Sequence, residues 1–126
     1  MVLVDTSVWI DFLRKGDSLL SDLLTDGEVL THPHIIGELR LGNIPKRQSF
    51  LGLIENLPVS VQATDEEVTY MIEKNKLYGK GIGYIDAHIL ASSIMNSTPL
   101  WTLDKRLNAL SKKLKGTNQA GDDNSE

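Results

Sequence analysis

The sequence contains no cysteine, which excludes disulfide bonds and thiolate metal sites. Long apolar runs are also missing, since no stretch approaches the ~20 apolar residues of a membrane span. The first residues, Met-Val-Leu-Val-Asp, lack the basic segment and apolar core of a secretory signal. We therefore expect a cytoplasmic protein with no membrane contact.

A large excess of charge is missing as well. The chain has 13 basic and 17 acidic side chains, a net charge of −4. Three of those acids, Asp122, Asp123 and Glu126, lie near the end, so residues 1–115 carry 14 acidic and 13 basic side chains. This balance neither favours nor excludes a nucleic-acid partner. The last predicted helix has a basic composition that is typical of a solvated face and also suits phosphate contacts (Lys105, Arg106, Lys112, Lys113, Lys115).

Short apolar segments alternate with helical patterns along the chain. Val2 to Val4 reads as a strand buried on both faces, and further strands are predicted at 28–31, 58–62 and 100–102. Apolar residues at helical spacing predict helices that begin near Val8, Asp17, Pro33, Phe50, Thr64, Tyr84 and Asp104. Such alternation predicts one α/β domain over residues 1–115, with a parallel sheet and helices on both sides. Residues 116–126 contain one alanine and no other apolar side chain, so we expect a flexible acidic tail.

Four acids occupy positions that this topology brings to one edge of the sheet. Asp5 follows the first strand, Glu38 lies in the helix after the second, Asp86 begins the helix after a glycine-rich stretch, and Asp104 follows the last strand. The carboxyl ends of parallel strands share one edge, where ligands bind in α/β proteins. Oxygen ligands of this kind suit Mg²⁺ or Mn²⁺. The pattern therefore predicts a carboxylate metal site.

Each of these acids also has a structural explanation. Asp5 and Asp104 are good helix N-caps, Asp86 suits the positive end of a helix dipole, and Glu38 fits an exposed helix face. From the pattern by itself, capping and metal binding both remain open.

Hydroxyls and glycines near the acids have two interpretations each. Thr6, Ser7 and Thr102 can hold Asp5 and Asp104 in position as hydrogen-bond donors, or they can cap helices. Gly81 and Gly83 can let a phosphate approach the backbone, or they can form a turn.

The three histidines do not form a recognisable metal motif. His32 and His34 have neither a thiolate partner nor an H-x₃-H spacing, so we interpret them as loop or helix-start residues. His88 stands two residues after Asp86 and is expected on the opposite side of that helix.

Four segments of this sequence resemble, in order and spacing, the PIN-domain ribonucleases, and in particular the VapC-type toxins of bacterial type II toxin–antitoxin systems. The first is Leu-Val-Asp-Thr-Ser-Val-Trp-Ile-Asp at 3–11, and the second is His-Ile-Ile-Gly-Glu-Leu at 34–39. The third is Gly-Ile-Gly-Tyr-Ile-Asp-Ala-His-Ile-Leu-Ala at 81–91, and the fourth is Leu-Trp-Thr-Leu-Asp-Lys-Arg at 100–106. The resemblance spans residues 2–107.

The resemblance implies a three-layer α/β/α PIN-like domain with a short central parallel sheet of four to five strands. It also implies a Mg²⁺- or Mn²⁺-dependent endoribonuclease that hydrolyses phosphodiester bonds in tRNA, rRNA or mRNA. The expected partners are an RNA substrate, a cognate antitoxin and a second copy of the chain in a homodimer. One departure is visible, because residues 115–119 contain no apolar run for a strand after the last helix.

The resemblance also assigns roles to individual residues. Asp5 and Asp86 become direct metal ligands, whereas Glu38 and Asp104 act through water or hold a second ion. The supporting hydroxyls of Thr6 and Thr102 orient acids or phosphate.

Two other functions fit part of the pattern. An aspartyl-phosphate phosphatase also opens with Leu-Val-Asp, but it requires a second aspartate two residues after Asp5, where this chain has Ser7. A catalytically silent PIN-like module that binds RNA or protein would keep the acids as helix caps.

Overall fold

Short strands and longer helices alternate along the chain, as the apolar pattern predicts. The computed structural model describes the backbone of residues 1–124 and the side chains of residues 1–115. In this part, the elements are β1 (Val2–Val4), α1 (Thr6–Lys15), α2 (Ser18–Thr25), β2 (Val29–Leu30), α3 (Pro33–Leu41), α4 (Arg47–Glu55), α5 (Asp65–Asn75), α6 (Tyr84–Met95), β3 (Leu100–Trp101) and α7 (Lys105–Asn124). The predicted α/β class is confirmed.

The sheet is parallel and has β1 at its centre, in the order β2-β1-β3. Val2 pairs with Val29, and Leu3 lies between Leu30 and Leu100. The side chain of Leu3 is completely buried, which explains the uninterrupted apolar run at this point of the sequence. All three strands run in the same direction, so their carboxyl ends lie at one edge of the sheet.

The strand predicted at 58–62 is reduced to one parallel bridge between Thr31 and Val59. Val59 and Val61 are 51% and 50% exposed, whereas Ser60 between them is buried. The side chains alternate between two faces, as the sequence predicts, but Ser60 faces the core and the two valines face solvent. Apolar burial therefore contributes little to pairing along this segment. Three strands are therefore present in the described residues, and the predicted four to five are not confirmed.

Aromatic and aliphatic side chains fill the space between the sheet and its helices. Trp9 of α1 is fully buried and makes edge-on contacts with Phe12 and Phe50, with ring centroids 6.0 and 5.8 Å apart. Helix α6 is buried continuously from Ala87 to Ser93 and packs against both α5 and α7. These contacts fix the starts of α1 and α6, which carry candidate site residues.

The helix starts predicted near Thr64 and Asp17 are confirmed, and both are capped by side chains. The hydroxyl of Thr64 accepts from the Glu67 amide at 3.1 Å, and the Glu67 carboxylate accepts from the Thr64 amide at 2.9 Å, which completes a capping box. The Asp17 carboxylate accepts from the Leu20 amide at 3.0 Å and caps α2.

Helix α7 extends to Asn124, beyond Gly116 where the acidic tail was predicted to begin. The side chains of 116–124 and the whole of 125–126 lie outside the described residues, so a separate flexible tail stays a prediction. No helix in the described part of the chain combines the length and apolar character of a membrane span.

Candidate active site

Asp5 stands at the carboxyl end of the central strand. Its amide donates to the Trp101 carbonyl at 2.9 Å, and its side chain is 5% exposed. The residue occupies the N-cap position of α1, yet its carboxylate makes no capping hydrogen bond. The capping explanation for the Asp5 side chain is therefore wrong, and another reason is needed for a nearly buried carboxylate.

Two hydroxyls hold this carboxylate by the same oxygen. Asp5 Oδ2 accepts from Ser7 Oγ at 2.9 Å and from Thr102 Oγ1 at 2.8 Å. Each hydroxyl in turn accepts from a backbone amide, Ser7 from Leu103 at 3.0 Å and Thr102 from Asp104 at 3.1 Å. In the described residues Asp5 Oδ1 makes no hydrogen bond. The network fixes the carboxylate and leaves one oxygen for a ligand.

Glu38 is held by a separate contact from the neighbouring helix. Thr6 Oγ1 in the first turn of α1 donates to Glu38 Oε1 of α3 at 2.8 Å. The sequence predicted that Thr6 holds Asp5 or Asp104, but the acid that it contacts is Glu38. Because Glu38 is exposed, its second oxygen remains accessible to solvent.

Asp86 and Asp104 lie at helix starts and have partial capping roles. Asp104 Oδ1 accepts from the Leu107 amide at 3.0 Å, as a cap of α7 does. Asp86 Oδ2 is 3.4 Å from the Gly83 amide, at the long end of hydrogen-bond distances. The capping explanation thus describes one oxygen of Asp104 well, and it describes Asp86 only weakly.

The four acids are close enough for the charges of three of them to affect the pKa of the fourth, Asp86. Burial raises the pKa of Asp86, and the charges of Asp5, Asp104 and Glu38 raise it further, while the Gly83 hydrogen bond acts in the opposite direction. Burial is the largest cause of the raised pKa of Asp86, and repulsion by the other three acids is a smaller one. A carboxylate with a raised pKa beside other acids is a marker of functional sites.

The donor chemistry of this edge suits a hard divalent cation. In the described residues, no group of three or more His, Cys, Asp or Glu side chains is arranged to hold a metal ion. Mg²⁺ usually keeps several waters and takes one or two protein carboxylates together with substrate phosphate. The free oxygen of Asp5 and the carboxylate of Asp86 therefore fit an open magnesium or manganese site.

The three histidines converge outside the acid site, which sequence spacing did not reveal. The ring of His34 lies 5.0 Å from that of His32 and 4.8 Å from that of His88, measured between centroids. His88 Nε2 lies 3.0 Å from Asp65 Oδ1. His32 Nδ1 accepts from the His34 amide at 3.0 Å and caps α3, so the helix-start interpretation is confirmed for His32.

His32 is the most buried of these histidines. Its Nε2 has no hydrogen-bond partner among the described residues. Burial lowers the pKa of His32 to about 4, with further lowering from His34 and His88. The neutral ring is therefore a packing element of the folded state near pH 7.

The glycine-rich loop before α6 has a further role that the sequence did not specify. Gly81 has a φ of +79°, so the turn interpretation is confirmed. A Cβ at this position would collide with Arg106 Nη1 and lie 2.9 Å from Arg106 Cδ. The glycine makes room for an arginine side chain from α7, two residues after Asp104.

The chain matches the sequence pattern of the PIN domain over residues 2–113. It belongs to the PIN-domain family. Two relatives from Mycobacterium tuberculosis, in strains CDC 1551 / Oshkosh and ATCC 25618 / H37Rv, both bear the name Ribonuclease VapC32. Each is 44% identical to the chain over 110 residues, covering 86% of this chain and 89% of the relative. The resemblance to VapC-type PIN proteins is thereby confirmed, and the phosphatase alternative is set aside.

Proposed function

We propose that this protein is the toxin of a toxin–antitoxin pair and a Mg²⁺- or Mn²⁺-dependent endoribonuclease. The observation that carries the proposal is the state of Asp5, a nearly buried carboxylate that caps no helix and is fixed through one oxygen only. Asp5 is also one of three acids, with Glu38 and Asp104, whose charges act on Asp86. Similarity to two proteins named ribonucleases supports the same activity.

Within this proposal, Asp5 and Asp86 are the direct metal ligands, while Glu38 and Asp104 act through water or hold a second ion. A bound divalent ion supplies positive charge at the phosphate and lowers the pKa of a water for in-line attack. The chain contributes orientation: Ser7 and Thr102 hold Asp5. A positive charge near Asp86 would counter the burial and the repulsion that raise its pKa, and so favour release of its proton.

The substrate, the partners and the cellular location are proposed from the similarity to the two VapC ribonucleases. The substrate is cellular RNA, which includes tRNA, rRNA and mRNA as candidates, and the reaction is phosphodiester hydrolysis. A cognate antitoxin inhibits the toxin, and the active form of the toxin is a homodimer. The protein is located in the cytoplasm.

One observation favours a second function. Because the described residues hold no group of three metal-binding side chains, a catalytically silent PIN-like module that binds RNA or protein is the alternative. Such a module would keep its acids for helix capping and network contacts and would show no metal-dependent activity.

Cleavage of purified total RNA separates the two functions. The chain, freed of any antitoxin, is incubated with Mg²⁺, Mn²⁺ or EDTA, beside Asp5→Asn and Asp86→Asn. The matched control is Asp22→Asn, which removes the same charge from α2, the helix that leads into the amino end of β2. We expect discrete fragments with either metal for the parent and the control, and none with EDTA or in the two site variants. Metal-independent cleavage, or equal cleavage by all four proteins, would contradict the proposal.

A further inference from the structure

Arg106 lies against the loop that precedes the Asp86 helix. The residue is in the first turn of α7, and its Cδ and Cζ stand 2.9 and 3.0 Å from where a Cβ on Gly81 would be. Gly81 has the left-handed φ of +79° and presents only hydrogen on this side. The Arg106 side chain therefore lies against the loop that leads into α6, the helix that carries Asp86.

The same guanidinium has no hydrogen-bonding or ion-pair partner among the side chains that the structure describes. The other three arginines each contact an acceptor: Arg14 lies 3.5 Å from Asp11, Arg40 pairs with Glu55, and Arg47 donates to a carbonyl at 3.0 Å. In the described part of the chain, Arg106 makes neither a hydrogen bond nor an ion pair, and its side chain is exposed. Five N–H donors thus remain for a ligand.

We propose that Arg106 binds a phosphate of the RNA beside the carboxylate site, and that Gly81 acts as a positioning residue by leaving room for its side chain. The inference rests on the proposed nuclease function. A cluster of carboxylates repels the RNA backbone, and a nearby cation offsets that repulsion. The guanidinium fork matches two phosphate oxygens at once, which an ammonium does not.

The competing explanation is that Arg106 only packs on the loop. A packing residue affects stability but leaves the salt dependence of RNA binding unchanged. A phosphate contact contributes to that dependence, because each neutralised phosphate of a single strand adds roughly 0.7 to the slope of log affinity against log salt. The salt slope therefore distinguishes the two roles.

Binding is measured in the Asp5→Asn background with Mg²⁺, with a fluorescein-labelled single-stranded RNA 15-mer of mixed sequence and KCl from 50 to 200 mM. We expect Arg106→Gln to weaken binding by about 10- to 100-fold and to lower the salt slope by about 0.7. Arg106→Lys should keep most of the slope and recover part of the affinity. The control is Arg14→Gln, which removes the same charge from the last turn of α1, and it should match the background.

Gly81→Ala tests the positioning role by a double-mutant cycle. It should weaken binding when Arg106 is present and change nothing further in Arg106→Gln. Thermal unfolding of every variant checks the fold, and if Gly81→Ala does not fold, Arg106→Gln still decides the proposal.

Cleavage of total RNA by otherwise unmodified protein is measured in parallel. Metal-dependent cleavage by the parent, with binding and slope unaltered in Arg106→Gln, would overturn the Arg106 assignment and leave the nuclease standing. A lowered slope without any cleavage by the parent would support the phosphate contact and contradict the nuclease. Absence of RNA binding by the Asp5→Asn background would overturn the Arg106 assignment.

Discussion

Thr102 donates a 2.8 Å hydrogen bond to Asp5 across 97 positions of the chain. Both side chains are buried at the carboxyl ends of adjacent strands, β3 and β1. The contact exists only when the strands pair in the observed register, since Leu3 must lie opposite Leu100. The Asp5 carboxylate therefore has this orientation only when β1 and β3 are paired in the sheet.

Thr102→Val should damage stability and activity together. The variant leaves Asp5 with one hydroxyl donor and the Asp104 amide without its acceptor. An unpaired buried polar group costs about 1 to 3 kcal/mol, so the free energy of unfolding in urea should fall by that amount. RNA cleavage should fall as well, because Asp5 is no longer fixed. Thr102→Ser keeps the hydroxyl and should stay near the parent in both measurements; equal losses in both variants would contradict the role of the hydroxyl.

Much of the fold was predictable because short apolar runs are followed by capping residues. Val2 to Val4 and then Asp5 mark the end of a buried strand, and Thr64 with Glu67 marks a helix start, without knowledge of any distant contact. The strand predicted at 58–62 is only a single parallel bridge at Val59, and the alternation in the sequence did not show which face meets the core. Here Ser60 faces the core.

The site was predictable to the extent that topology determines it. Parallel strands bring their carboxyl ends together, which predicts that Asp5 and Asp104 lie close to each other, and the charges of both acids raise the pKa of Asp86. Individual partners were not predictable, because Thr6 and Ser7 are neighbours in sequence but contact different acids, Glu38 and Asp5. The Arg106 contact with Gly81 needed the three-dimensional packing of α7 on the loop, and the only sequence signal was a glycine-rich loop.

Asp86→Asn should stabilise the metal-free protein at pH 7. The pKa of Asp86 is raised, so the native state binds this proton more tightly than the unfolded state does, and stability falls as pH rises above the unfolded value of ~3.9. The amide removes that penalty while keeping an acceptor toward Gly83. The melting temperature should therefore exceed that of the parent by a few degrees at pH 7, and this advantage should vanish near pH 4.

The melting temperatures of the same two proteins should respond to metal to different extents. Millimolar Mn²⁺ should raise the melting temperature of the parent, because the ion binds only the folded state, and it should raise that of Asp86→Asn less. Glu73→Gln, an exposed acid on α5, is the control and should behave like the parent. Equal shifts in all three proteins would argue against Asp86 as a ligand.

Thr6→Val tests whether Glu38 must be oriented. The Thr6–Glu38 hydrogen bond is exposed, so its loss should change the free energy of unfolding by less than about 1 kcal/mol. RNA cleavage should fall about 2- to 10-fold, as expected for one modest hydrogen bond. Thr6→Ser should restore the rate, and Thr6→Val in a Glu38→Gln background should have no additional effect. A further loss in that background would show that Thr6 acts on something other than Glu38.

His32 should make the protein less stable as the pH falls below neutrality. Its pKa is about 4 in the folded state and 6.5 in the unfolded state, so between these values only the unfolded chain takes up the proton. This term is absent above pH 6.5 and complete below about 4. Between pH 7 and 5 it lowers the free energy of unfolding by at most about 2 kcal/mol, an upper bound because solvent screening reduces it.

His32→Asn isolates this contribution, because asparagine can still accept from the His34 amide and cap α3. Urea unfolding at pH 7, 6 and 5 should show a shallower pH dependence for this variant than for the parent, whatever its stability at pH 7. His34→Asn, at the less buried neighbour, should remove less of the pH dependence, since it is a secondary cause of the low His32 pKa. An unchanged pH dependence in His32→Asn would mean that the loss of stability arises from other groups.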